Sequence, residues 1–386
     1  MDTTHTRDKL AILHIDPERS WGGGETQVLG LTRYLHHTGH RSVVAADPRG
    51  CLYQRLIQEN LPSSALRIRN DLDVWAGHSL RRLVQSHPAN QYDLVHFHTA
   101  RAHALSPWLT GLGIKRVVTR RMDYPLKKNV WTRFLYTHSV NTVVAISHRV
   151  HAALLAGGVP QTQLRRIPSG VDTQRFVAAP DTRARMRAQL FHQYGIGLTD
   201  SLIVSTGALV ERKDYHALIQ AVRHLHHNGL QPHAIICGEG ALRASLEAEV
   251  QALELVSHIH FIGFCSNIPA YLAAADVFVH VPVWEGLGVA VIEALAAGLP
   301  VIASRVGGIP ELIKDQSTGL LIPPQNPIVL ANALRRLLDS PGFAQALGQA
   351  GQAYTQEYFD VRAMAQANEV LYYELLTQRE THTCEV

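Results

Sequence analysis

Cysteine is scarce in this 386-residue chain, long apolar runs are missing, and the common catalytic signatures are absent. The four cysteines, Cys51, Cys237, Cys265 and Cys384, lie far apart with neither disulfide nor metal-pair spacing, so ordinary reduced thiols are expected. No apolar run approaches the length that crosses a bilayer, and the start Met1-Asp2-Thr3-Thr4-His5 has no signal-peptide character. A cytoplasmic protein is the expectation. Low-complexity tracts and short-period repeats are also lacking. No His-Glu-x-x-His, P-loop or nucleophile elbow occurs, and neither half supplies a dinucleotide fingerprint, which disfavours a dehydrogenase. The 23 histidines are many, yet the pairs His36 and His37, and His226 and His227, read as polar helix faces without a carboxylate or Cys partner. No metal site is expected there.

An apolar fraction of 46% over this length fits a soluble globular protein with two sizeable cores, hence two domains. The net charge of +4 conceals an asymmetry: residues 1–178 hold 23 Lys and Arg against 12 Asp and Glu, a balance of +11, while the remainder carries −7. The first half is therefore expected to face an anionic partner. Nucleic acid fits poorly, because the basic residues are scattered and no nucleic-acid module is recognisable. Anionic lipid or a phosphorylated glycolipid fits better.

Strands and helices alternate in both halves. Leu10–Ile15, Arg41–Ala46, Asp93–Phe97, Arg116–Thr119 and Asn141–Ile146 read as short, buried parallel strands of a first domain, with a helix over Glu25–His37. The tract Val159–Asp172 reads as its last strand and exit loop, and Val177–Pro180 as a linker. Ser201–Thr206, Ala234–Cys237, His258–Phe261, Val277–Val281, Val301–Ala303 and Leu320–Ile322 then supply a second domain.

The most informative stretch runs from Trp284 through Glu285-Gly286-Leu287-Gly288-Val289 to Glu293 and on to Val301. An apolar strand precedes it, and Val289–Ala297 has helical spacing. Strand, glycine turn and helix start make an anion site, because free N–H groups at Gly288 and Val289 and the helix dipole favour a phosphate. Glu285 stands at the mouth of the turn and Glu293 about two turns into the helix, where carboxylates suit hydroxyl groups. A diphosphate between two polyols is a nucleotide-sugar. Gly207-Ala208-Leu209-Val210-Glu211-Arg212-Lys213-Asp214 places two cations at another helix entrance, where they would neutralise a departing diphosphate.

This pattern resembles the Glu-x7-Glu motif of the retaining GT-B glycosyltransferases, family 4 type, including the neighbouring glycines, Gly298-Leu299-Pro300 and Val306-Gly307-Gly308-Ile309-Pro310-Glu311. The resemblance covers nearly the whole chain. It implies an α/β fold of two doubly wound Rossmann-like domains facing across a cleft, with residues 1–178 on the acceptor side, 179–361 binding the nucleotide-sugar, and 362–386 crossing back to the first domain. It implies that Glu285 holds donor-sugar hydroxyls, Glu293 the ribose, and Arg212, Lys213 and the Gly288 backbone the leaving diphosphate, with Gly207, Gly286, Leu287 and Val289 lining the donor. Family members often carry an Arg one place after the first glycine and a Lys several places later; Lys213 matches that Lys, but Ala208 stands at the Arg position, and Arg212 is taken to compensate. The loop Ser20-Trp21-Gly22-Gly23-Gly24-Glu25 is similar to the family's Gly-Gly loop, which puts Gly23 and Gly24 under the donor. His96-Phe97-His98 matches a common His-x-His, with His98 the functional candidate. Where many relatives have a sugar-contacting histidine this chain has Arg121 and Asp123, which become candidate acceptor or sugar contacts, or a plain Arg-Asp surface pair.

Asp71-Leu72-Asp73 imitates a metal-binding Asp-x-Asp but is read as a helix cap, and GT-B enzymes need no such metal. No cofactor is therefore expected beyond the co-substrate. Lys127-Lys128-Asn129-Val130-Trp131-Thr132-Arg133-Phe134-Leu135-Tyr136 interleaves cations with aromatics, either as a membrane-surface segment or as an ordinary packed helix with exposed lysines. The resulting expectation is a cytoplasmic, metal-independent, retaining glycosyltransferase, peripheral on the inner membrane face. It would act on a glycan or glycolipid in lipopolysaccharide or other surface-polysaccharide synthesis. A sugar-nucleotide epimerase and a non-catalytic scaffold are the rival readings.

Overall fold

The computed structural model describes residues 9–85 and 92–377. Seven strands build the first sheet: β1 (Ala11–Asp16), β2 (Arg41–Ala46), β3 (Ser63–Ala65), β4 (Leu94–Phe97), β5 (Lys115–Arg120), β6 (Thr142–Ala145) and β7 (Leu164–Arg166). Their order is β3-β2-β1-β4-β5-β6-β7, with every pairing parallel. Six build the second: β8 (Leu202–Thr206), β9 (His233–Cys237), β10 (Ile259–Gly263), β11 (Val277–His280), β12 (Val301–Ser304) and β13 (Leu320–Ile322). Their order is β10-β9-β8-β11-β12-β13, again all parallel. Parallel strands joined by helical crossovers bury both faces, so β4, β6 and β8 are buried at every position.

Both sheets reverse direction next to their first strand, between β1 and β4 and between β8 and β11. Crossovers run to opposite sides at such a point, which leaves a crevice at the carboxyl ends of the strands where ligands of doubly wound folds bind. The two units are Rossmann-like α/β domains, the architecture of the GT-B fold.

One compact unit comprises Met1–Gly170 with Val361–Val386, and the other Val171–Asp360. The change falls at Gly170, earlier than the expected 178, because hydrogen-bond partners switch there. Gly170 exchanges two hydrogen bonds with the Gln27 amide, whereas the Val171 N–H donates to the Phe359 carbonyl at 2.9 Å. The expected linker follows a short turn, Thr173–Phe176, that already belongs to the second unit. The last helix, Val361–Thr377, belongs to the first unit, where it packs on the helix Gly23–His37 through Met364, Ala365, Leu371, Tyr372 and Leu375. Each of Met364, Leu371 and Leu375 removed from water contributes roughly 1.5–3 kcal/mol. Gly30 permits that approach: a Cβ there would lie 2.5 Å from Val361 Cγ2. Residues 378–386, including Cys384, lie outside the described residues. The expected strands are present with ends shifted by one or two residues. β3, a polar three-residue edge strand without alternation, was not expected.

Candidate active site

The second unit's switch point is held open by two glycines that no other residue replaces without strain. Gly207 follows β8 with φ +147°, and its N–H donates to the Cys237 carbonyl at 3.0 Å. The turn Glu211–Lys213 comes next, and Asp214 caps the helix Tyr215–His227. The Val283 N–H donates to the Arg212 carbonyl at 2.8 Å, tying this turn to the loop after β11. That loop is anchored by buried Leu287 and ends at Gly288, φ +104°, the N-cap of the helix Val289–Ala296. The Val291 N–H donates to the Gly288 carbonyl at 2.9 Å, whereas the N–H groups of Val289 and Ala290 precede the first helical acceptor, so they and the dipole favour an anion.

The carboxylate of Glu285 collects both cations of the Glu211–Lys213 turn and the His280 imidazole at the end of β11. Lys213 Nζ lies 2.5 Å from Glu285 Oε2, His280 Nε2 3.1 Å from it, and Arg212 Nη1 3.7 Å. Lys213 and Glu285 are both largely buried. Burial alone would raise the Glu285 pKa, but the Lys213 ammonium and the His280 hydrogen bond outweigh it and hold the carboxyl well below its usual range. Burial lowers Lys213, opposed by Glu285. Burial and the Lys213 charge push His280 down to about 4, so the neutral ring donates to Glu285 through Nε2–H. Glu293, in contrast, forms no ion pair among the described residues. Burial lifts its carboxyl to about 7, with Arg175, from the Thr173–Phe176 turn, pulling the other way.

At the first unit's switch point, β1 ends at Asp16 and β4 runs into His98. Arg121 Nη2 donates to His98 Nδ1 at 3.2 Å, and His98 Nε2 lies 3.0 Å from His14 Nδ1. Because Arg121 only donates, His98 carries its proton on Nε2 and passes it toward His14. The His14 Nε2–H is buried without a partner among the described residues. Burial raises Asp16 and the neighbouring Glu25 carboxylate adds to it, while Arg121 opposes both; burial likewise raises Glu25. Gly23 and Gly24 open the helix Gly23–His37, and a Cβ on Gly24 would meet Arg121 Nε at 3.5 Å. None of Gly22, Gly23 and Gly24 has a positive φ, and a Cβ on Gly24 would make only ordinary contact, so neither turn geometry nor crowding requires glycine at position 24.

Several expectations change. Arg121 and Asp123 do not form a surface pair: Arg121 faces Asp16, Glu25 and His98, whereas Asp123 lies 3.8 Å from Arg149. His98 is buried and engaged on both ring nitrogens, and His96 is the satisfied core histidine, bonded to Tyr372 and Thr119. His14, His96 and His98 bring ligand atoms within 4.8 Å of one another. Every lone pair of His96 and His98 is nevertheless occupied, and the adjacent guanidinium would repel a cation, so the set fits a hydrogen-bond relay better than a metal centre. His226 does not stay on a polar face; its ring centroid is 4.1 Å from that of His258, which stacks near His233, itself 3.3 Å from Asp200. Cys237 and Cys265, distant in sequence, come together where β9 and β10 end, and each thiol shifts the other. Asp73 caps the helix Val74–Gln85 at the Ala76 N–H and pairs with Arg69, as its reading as a cap anticipated. Trp131 and Phe134, which as core residues would have been buried, are exposed on the helix Val130–Thr137 beside Val130, 86% exposed.

Sequence reasoning missed Asp16, Glu25, His14, Arg175 and His280. Asp16 and His280 each end the strand that flanks a switch point, and that position was the available signal. Arg175 had none, since only the fold brings its turn to Glu293.

The family described as "Glycosyltransferase Family 4" matches residues 21–175, and that described as "Glycosyl transferases group 1" matches residues 186–354. A GDP-mannose-dependent alpha-(1-6)-phosphatidylinositol monomannoside mannosyltransferase of Mycolicibacterium smegmatis is 30% identical over 301 residues, 73% of this chain and 76% of that one. A lipopolysaccharide core biosynthesis mannosyltransferase of Rhizobium meliloti is 29% identical over 263 residues, 64% and 69% of the two chains. An Anabaena protein solved with UDP-glucose superposes with TM-score 0.82 at 22% identity, covering 96% of this chain and all of that one. With two parallel Rossmann-like sheets and these matches along its length, the chain belongs to the group 1 glycosyltransferases and is an enzyme of that kind.

Proposed function

We propose that the enzyme transfers a sugar, with retention, from a nucleotide-diphosphate-sugar to a glycan or glycolipid acceptor at an anionic membrane surface. The observation that carries this reading is the set Lys213, Glu285 and His280 beside the N-terminus of the helix Val289–Ala296, with the unpaired carboxyl of Glu293 along the same helix. The amides after Gly288 and the Arg212 and Lys213 cations take the diphosphate, and Glu293 takes the ribose hydroxyls. In a front-face displacement the acceptor hydroxyl attacks the anomeric carbon on the leaving-group side and gives its proton to a donor phosphate oxygen, so no enzymatic nucleophile is required. Leaving-group charge then grows against fixed cations, which removes the need for a metal. Glu285 is locked among three cationic or donor groups, which disfavours the acid–base work an epimerase would require. The names of similar proteins point to both GDP- and UDP-sugars, so the base is left to experiment.

Exposed Val130, Trp131, Phe134 and Tyr124 beside Lys127 and Lys128 support the membrane surface. Among the described residues no helix is long and apolar enough to cross a membrane. A thermal-shift screen of UDP-, GDP- and ADP-sugars tests the donor: one nucleotide class should raise the melting temperature selectively, and no response to any of them sinks the reading. Turnover should persist in EDTA. Loss restored by manganese or magnesium would refute metal independence.

A further inference from the structure

The paired thiols of the second unit have no part in the transfer reaction. β9 ends at Cys237, and its register partner on β10 is Gly263, where the pairing slips out of step after Phe261. Gly263, φ +77°, turns the chain; Phe264 points outward, 63% exposed, and Cys265 returns to the end of β9. There the Cys265 thiol adjoins that of Cys237, and each is the largest influence on the other. The two environments are unequal. Cys237 is 3% exposed, whereas Cys265 is partly open to solvent. The Cys237 hydrogen bond, assisted by the Asn267 N–H against burial, draws the Cys265 thiol down to about 7, while the same contact and burial push Cys237 up. An accessible, thiolate-rich sulfur touching a buried protonated one is the arrangement of an attacking and a resolving cysteine.

From this geometry we infer that Cys265 and Cys237 form a reversible redox pair that reacts with low-molecular-weight disulfides of the glutathione type. The Cys265 thiolate attacks one sulfur of the oxidant, forms a mixed disulfide and expels one thiolate. Cys237 then gives up its proton and attacks the Cys265 sulfur, closing the intramolecular disulfide and expelling the second thiolate. Two protein thiols are oxidised and one external disulfide is reduced to two thiols. The neighbourhood makes closure consequential. The Cys237 carbonyl holds the Gly207 N–H at 3.0 Å, and a Cβ on Gly238 would sit 1.9 Å from the Gly207 oxygen, so the end of β9 and the Gly207 loop are in contact without slack. Drawing Cys237 toward Cys265 shifts Gly207 with it. Resting on the donor-site reading of that loop, oxidation weakens nucleotide binding.

The test uses the full-length protein, oxidised glutathione, intact and peptide mass spectrometry, and titration with UDP, GDP and ADP followed by tryptophan fluorescence. Wild type and Cys51→Ser should each yield a crosslinked peptide containing Cys237 and Cys265, with the loss of two hydrogens. Cys237→Ser should stop at one glutathione on Cys265, and Cys265→Ser should yield neither product. Dithiothreitol should reverse the crosslink. Modification of Cys51 to completion without any crosslink between Cys237 and Cys265 would overturn the pair. A verified crosslink with unchanged affinity for a nucleotide that the reduced protein binds would overturn the coupling to Gly207. If the reduced protein binds none of the three nucleotides, the donor-site reading fails while the mass result still judges the redox pair by itself.

Discussion

At the carboxyl end of β8 two cations and a neutral imidazole surround one carboxylate; at the carboxyl end of β1 two carboxylates surround one buried guanidinium. The sheets have the same strand order at these positions and reverse at equivalent points. Topology therefore supplies the crevice and nothing more. What fills it is decided by a few loop residues, and the difference follows from what each must keep ionised. Beside Glu285 two cations and a hydrogen-bonding imidazole outweigh burial, so the carboxylate stays ionised. Beside Arg121 one positive charge opposes Asp16 and Glu25 together, and burial pushes both toward protonation. The second crevice has two glycines in left-handed backbone beside its cations; the first holds carboxyls pushed toward protonation beside a buried cluster of imidazoles.

The sharpest way to break this contrast is Lys213→Ala. It strands a buried carboxylate, so folding stability should fall by about 3–5 kcal/mol and turnover by ~10²–10³-fold, more than substrate binding. The double variant Lys213→Ala, Glu285→Ala should recover much of the melting temperature and none of the activity. Recovery of turnover would show that Lys213 acts only through Glu285.

The matching change in the first unit is Arg121→Met, with a smaller expected effect of about 1–3 kcal/mol because protonation of Asp16 and Glu25 relieves the loss. The sign is specific. Arg121 holds both carboxyl pKa values down, so the variant raises them further. A carboxyl raised in the folded state contributes stability below its unfolded pKa and loses it as pH rises through its folded pKa. The deficit should therefore widen from mildly acidic to mildly alkaline solution in pH-dependent melting; a deficit that narrows rejects carboxyls pushed toward protonation.

Glu293→Gln should weaken donor binding by roughly 1.5–3 kcal/mol without loss of folding, measured by calorimetry. Because Glu293 titrates near 7, wild-type donor affinity should decline as pH falls below that value and the variant should be flat. Equal pH dependence in both removes the ribose role.

The smallest effect concerns the units' surfaces. The double charge reversal Lys127→Glu, Lys128→Glu should reduce sedimentation with anionic vesicles, at about 1 kcal/mol per lysine, and salt should erase the difference. Identical binding at low salt would assign the basic half to a soluble acceptor.

Much of this was legible in the sequence. Short β-branched runs separated by helical spacing fixed two parallel sheets, because hydrophobic periodicity is local, and the Trp284–Glu293 stretch carried its own turn, helix start and carboxylates in consecutive residues. The partners of those residues were not legible. Lys213 reaches Glu285 across 72 positions, His96 reaches Tyr372 across 276, and Cys237 reaches Cys265 only where a parallel register slips. Chain order alone settled which loops close each crevice and which helix supports it. Only the packed fold decided which charges face each other out of water, and that decision sets every pKa on which the chemistry depends.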